Sequence, residues 1–150
     1  ERAREQLVVR LLELAGAAFA HLDRNLSAPK TGANGRHPLP DPQVFIAWLG
    51  KQGLKPTDQV VAYDGGPGSM AARLWWMLRW VGHDAVAVRD GGYAKWVKEG
   101  RPVTAEVPAY PAATYPGRVR AELAVDVAYV QEHLAETSLV DGRAPARRRS

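Results

Sequence analysis

The sequence predicts an α/β domain, a parallel sheet with helices on both faces, and three observations carry that expectation. Two short runs of β-forming apolar residues, Val60–Tyr63 (VVAY) and Ala85–Val88 (AVAV), are each followed by a glycine turn and then a stretch of helical periodicity. Because these runs are apolar at every position, they read as strands buried on both faces. The links are only a few residues long, so successive strands return to one sheet through helical crossovers.

Taken in order, residues 1–18 place Leu7, Leu11 and Leu14 on one face with charges opposite, which favours an amphipathic helix, although Leu7–Val9 alone also suits a strand. Residues 25–40 (NLSAPKTGANGRHPLP) are dense in turn formers and predict a surface loop, with Asn34-Gly35 suited to positive φ. Asp41-Pro42 reads as an N-cap and first helical position, and Val44, Phe45, Trp48 and Leu49 supply the apolar face that follows.

The central stretch is strand, glycine loop, helix. After Val60–Tyr63 come Asp64 and the turn Gly65, Gly66, Pro67, Gly68, with Ser69 as the expected N-cap. Leu74, Trp75, Leu78 and Val81 then recur at helical spacing, and Gly82 stands at the C-terminal stop. Backbone N–H groups of such a loop, with Gly65, Gly66, Gly68, Ser69 and Met70 as candidates, converge at a helix N-terminus into an anion cradle. A second unit repeats the order: Ala85–Val88, the turn Asp90-Gly91-Gly92, and a helix from Tyr93 to Glu99 stopped by Gly100. Beyond Thr104, Pro108, Pro111 and Pro116 exclude a long helix; residues 125–134 then read as a helix and 138–141 (SLVD) as a strand.

Composition narrows the function. With 150 residues, 46% of them hydrophobic, the chain buries one good core. The net charge is +4, but Arg143, Arg147, Arg148 and Arg149 crowd the last eight residues, and no basic stripe with interleaved aromatics points to nucleic acid. The absence of cysteine excludes disulfides, thiolate metal sites and a cysteine nucleophile. No apolar run reaches the roughly 20 residues of a membrane span. His21, His37, His83 and His133 show no metal-ligand spacing, and Asp64 with Asp90 is a thin basis for a magnesium or aspartyl-phosphate site, so neither metal nor cofactor is expected.

The segments VVAYD, AARLWWMLRWVGH and AVAVRDGGYAKWVKEGRPVT, with the glycine turn between the first two, resemble the rhodanese sulfurtransferases, specifically the first, non-catalytic domain of the two-domain enzymes. The opening departs from the family: only Ala17–Ala20 followed by HLD fits its early turn and apolar piece. The resemblance implies a rhodanese-like domain over residues 1–104, an interdomain linker over 105–121 and the start of a second rhodanese-like domain over 122–150. It implies that the position of Asp64 is a sulfur-carrying cysteine in active domains, and that the parent passes sulfane sulfur from thiosulfate or 3-mercaptopyruvate to a thiophilic acceptor such as cyanide. It also implies that the loop carrying Arg36 and His37 lies toward the domain interface.

A carboxylate lacks polarisable sulfur and places negative charge where an anionic donor would sit, so Asp64 is expected to plug the cradle and this chain to be inactive alone. The alternative is a stand-alone anion-binding or protein-interaction module. Trp76 and Trp80 share a helix face expected to meet a partner domain or subunit, while Arg73 and Arg79 are expected to be solvated or paired. The expected partners are the second rhodanese domain of the parent, or a second copy by strand exchange. The expected compartment is the cytoplasm. The SLVD segment is expected either to pair with the sheet, within the chain or in a second copy, or to be the stub of the following domain.

Overall fold

The computed structural model of the chain describes residues 13–14 and 16–140. The expected helix over 1–18 therefore falls mostly outside the described residues. Where it can be seen it is corrected: Glu13–Leu14 is a strand, β1, paired antiparallel with β4 (Val103–Thr104) in the register Glu13↔Thr104. Helical spacing of leucines is outweighed here by a strand partner some ninety residues away.

The chain divides into two compact units, residues 1–120 and 121–150. In the first, β2 (Val60–Ala62) and β3 (Val86–Val88) form a parallel pair in the register Val60↔Val86 and Ala62↔Val88. Helices α1 (Leu22–Asn25), α2 (Pro42–Lys51), α3 (Ser69–Trp80) and α4 (Gly92–Lys98) surround it, giving the expected α/β order. Helix α2 begins as its sequence dictates, with the Asp41 carboxylate accepting from Gln43 and Val44 N–H and Pro42 filling the first turn. It buries Phe45, Ile46 and Leu49, while Val44, expected on the buried face, is exposed.

Burial of β2 on both faces is not observed. Ala62 is buried, but Val61, whose side chain points to the opposite face, is 53% exposed beside an open cavity. The residues all but excluded from solvent are Phe45 and Leu49 of α2, Met77 and Leu78 of α3, and Val81 just after it, and α3 packs against β2 and β3.

Residues 110–120 run past the C-terminal ends of α2 and α3 as a strap held by main-chain contacts, although most of its side chains are exposed. Ala113 N–H donates to Gly50 C=O at 2.8 Å, and a Cβ at Gly50 would meet Ala113 O at 2.4 Å, so only glycine allows this approach. Further on, Arg118 N–H donates to Val81 C=O and Arg120 N–H to Trp80 C=O. Tyr115 closes the core: its hydroxyl lies 2.8 Å from His83 Nδ1, and His83 Nε2 lies 3.0 Å from Asp58 C=O. A carbonyl can only accept, so Nε2 carries the ring proton and Nδ1 receives the tyrosine hydroxyl. Burial pushes the Tyr115 phenol up from its ordinary value, keeping it a donor.

The second unit holds a 3-10 turn (Ala121–Leu123) and α5 (Val127–Glu132), capped by Asp126 accepting from Tyr129 N–H. Ser138–Val140 form no strand, and Asp141 and the four terminal arginines lie outside the described residues. Among the described residues no helix is long and apolar enough to cross a membrane.

Replacing Tyr115 with Phe strands His83 Nδ1 in the core, where an unmet hydrogen-bonding group costs about 1–3 kcal/mol. Denaturant titration of Tyr115→Phe checks this; unchanged stability would show that the pair contributes nothing.

Candidate functional site: an aspartate-filled amide cradle

The site forms where β2 ends. Asp64 leaves the strand into a loop closed by Gly68, whose φ of 93° puts it in the left-handed region. That turn makes Gly68 the residue preceding α3 and Ser69 its first helical residue. Ser69 is therefore not the N-cap expected from sequence, and no side chain of the Gly68 position caps the helix. The Asp64 carboxylate does so from four residues upstream.

Asp64 Oδ1 accepts from Gly66 N–H (2.9 Å) and Gly68 N–H (3.0 Å), and Oδ2 from Met70 N–H (2.9 Å) and Ala71 N–H (3.0 Å). Met70 and Ala71 are the second and third residues of α3, the N–H groups an N-cap side chain normally receives. Of the loop amides expected in the cradle, Gly66, Gly68 and Met70 take part. Gly65 and Ser69 are not among the carboxylate's partners, and Ala71, which sequence reasoning did not single out, is. Burial by itself would raise the Asp64 carboxyl, but the four amides outweigh it and hold the group below its ordinary value.

The second glycine turn fixes the cradle from behind. Tyr93 N–H donates to Asp64 C=O at 3.0 Å, and a Cβ at Gly92, whose φ is 51°, would lie 2.6 Å from that oxygen. Asp90 does not join Asp64; its carboxylate pairs with Lys95 Nζ at 2.5 Å. No group of three His, Asp or Glu that could hold a metal occurs among the described residues.

The interface candidates separate. Arg36 is exposed and His37 half-buried. Burial, with Lys30, Arg73 and Arg36 nearby, pulls His37 below its ordinary value. Trp76 is half-buried and stacks on Trp80 with ring centres 5.8 Å apart. Trp80, expected on an outward face, is 6% exposed, because the strap ending at Arg120 covers its end of α3.

Arg73, expected to be solvated or paired, is a structural hub. Its guanidinium donates to Leu26 C=O through Nε (3.0 Å) and a terminal nitrogen (2.7 Å), and to His37 C=O (3.1 Å) and Pro38 C=O (3.3 Å). The sequence held one usable signal: Pro29, Pro38 and Pro40 leave the loop with more carbonyls than N–H donors, so an outside donor is needed.

A parallel α/β unit presents here, at a strand's C-terminal end, a ring of amides of the geometry that accepts a negatively charged group. Residues 14–99 match the rhodanese-like domain, and the chain belongs to that family. It is 43% identical over 138 residues to a probable 3-mercaptopyruvate sulfurtransferase of Pseudomonas aeruginosa, covering 89% of this chain and 49% of that protein. To the thiosulfate sulfurtransferase of Bos taurus it is 38% identical over 113 residues, 73% of this chain and 38% of the relative. Among solved structures, the 3-mercaptopyruvate sulfotransferase SseA from Escherichia coli superposes with a TM-score of 0.80 at 27% identity, covering 98% of this chain and 55% of that one. The chain thus spans about half or less of the length of these curated relatives.

Since folding favours ionised Asp64, its stabilisation is complete above the ordinary carboxyl value of 3.8 and is lost as the pH falls through the lower folded value. Asp64→Asn would turn an NH2 group against two amide donors. It is expected to destabilise the chain by about 2 kcal/mol at pH 7, with the gap from the parent narrowing below pH ~4. Urea titrations of both chains at pH 7 and pH 3 measure this; a gap independent of pH would mean that the ionised carboxylate is not what holds the loop.

Proposed function

We propose that this chain is the non-catalytic rhodanese-like part of a thiosulfate or 3-mercaptopyruvate sulfurtransferase, and that the sulfur-carrying thiol belongs to another domain of the same protein. The observation that carries this reading is the Asp64 carboxylate seated on the four amides of a cradle in a chain without cysteine. The partial coverage of the sulfurtransferases it is similar to supports it.

In the proposed parent reaction, a thiolate on such a cradle attacks the outer sulfur of thiosulfate. The sulfur–sulfur bond breaks, sulfite leaves, and the enzyme holds a persulfide. Cyanide then takes the outer sulfur as thiocyanate and the thiolate is restored. Amide donors contribute by stabilising the thiolate and the charge that develops near it. In this chain the amides have a permanent internal occupant that forms no persulfide, so the loop serves as structure. A free-standing anion-binding module fits less well, because the carboxylate already fills the position an anion would take.

With thiosulfate and cyanide, the chain is expected to form thiocyanate no faster than a heat-treated control; turnover above that control would overturn the reading. Asp64→Cys is expected to place a thiol on the same amides, with a pKa below the ~8.5 of free cysteine. Thiolate absorbance followed against pH measures it, and a midpoint at the free-cysteine value would show that the loop cannot serve an anionic nucleophile.

A further inference from the structure

The loop over residues 25–40 carries an asparagine followed by glycine at its tip, and neither the cradle nor the proposed activity uses that pair. The Asn34 side chain reaches back along the loop: Oδ1 accepts from Thr31 N–H at 2.9 Å, and Nδ2 donates to Pro29 C=O at 3.0 Å. Thr31 Oγ1 in turn accepts from Ala33 N–H at 3.4 Å. These contacts close the tip. A separate set closes the base, where Ala28 N–H donates to Pro38 C=O and Arg73 holds the carbonyls of Leu26, His37 and Pro38.

Asn34 and Gly35 are both exposed, and among the described residues no acceptor takes the Gly35 N–H. Gly35 has a φ of 81°, and a Cβ built on it would meet nothing within 4 Å, so no packed group crowds it. The main-chain nitrogen after an asparagine can close a succinimide ring on the side-chain carbonyl carbon. A Cβ on the attacking residue hinders that approach, and glycine has none. The Thr31 N–H on Asn34 Oδ1 also draws electrons from Cγ, and it sits where negative charge develops as the ring closes.

We propose that Asn34 is a site of spontaneous covalent modification in the folded chain, converted through a succinimide to aspartate and isoaspartate. The Gly35 nitrogen gives up its proton and attacks Asn34 Cγ. The bond from Cγ to Nδ2 breaks, and Nδ2 leaves as ammonia carrying that proton. Water then opens the imide: attack at Cγ yields aspartate, and attack at the Asn34 main-chain carbonyl yields isoaspartate, with the chain rerouted through the side chain. Nothing is oxidised or reduced. In either product Nδ2 is gone, so Pro29 C=O loses its donor and a carboxylate enters the turn next to Arg36. The contacts at the base use other residues, so the loosening stays within residues 29–36.

Trypsin cuts after Lys30 and Arg36, so residues 31–36 are released as one peptide. The full chain is incubated at mildly alkaline pH and physiological temperature in water enriched in heavy oxygen, its fold followed by far-ultraviolet circular dichroism, and then digested. That peptide is expected to exchange NH for one labelled oxygen, partly as isoaspartate. Asn34→Gln is expected to lose the change, because its longer side chain closes the ring far more slowly. Asn34→Asp, which carries a product carboxylate, is expected to speed hydrogen exchange across residues 29–36 and to leave Phe45 and Leu78 unaffected. An unchanged peptide in the folded chain, at a time when a synthetic peptide of residues 31–36 has converted, overturns the proposal. So does an equal mass change in Asn34→Gln, or an Asn34→Asp chain whose exchange is unaltered over residues 29–36 or altered equally in the core.

Discussion

The contact on which the first unit's functional end depends is that between one carboxylate and four backbone N–H groups. A glycine loop entering a helix gathers orphan donors by necessity, because the first turn of any helix has no internal acceptors for its N–H groups. Such a ring of donors is stable only when something negative or strongly accepting sits in it. Asp64 supplies that partner from the chain itself, so loop, strand end and helix start are fixed together. The same arrangement that would stabilise a thiolate stabilises the Asp64 carboxylate, because both place negative charge on the amide donors.

What could be read from the sequence was what local chemistry decides. The Asp41-Pro42 helix start, the glycine loop after Asp64 and the Asp90-Gly91-Gly92 turn each rest on preferences that act within a few residues. Where the sequence misled, a distant segment had intervened. Leu14 follows helical spacing yet lies in a strand, because Val103 pairs with it. Trp80 sits on what looked like an outward stripe, but residues 115–120 return to cover that end of α3. Ser69 has good cap chemistry, and Asp64 reaches the same amides with a charge.

Proline also shaped the outcome in a way that composition half disclosed. It rules out helix over 105–120, as expected, but it does not make that stretch loose. A chain relieved of some donors, with glycines at Gly50 and Gly82 opposite it, can press closely against helix ends, and the strap uses both positions. Its reward is the buried Tyr115–His83 pair, whose polarity is satisfied only because a carbonyl from Asp58 completes it.

Arg73 ties the carbonyls of Leu26, His37 and Pro38 to α3 three residues beyond Met70, one of the residues whose N–H meets Asp64. The loop and the cradle are therefore anchored to one turn of α3, where one guanidinium and one carboxylate hold two separate loops to the same stretch of main chain.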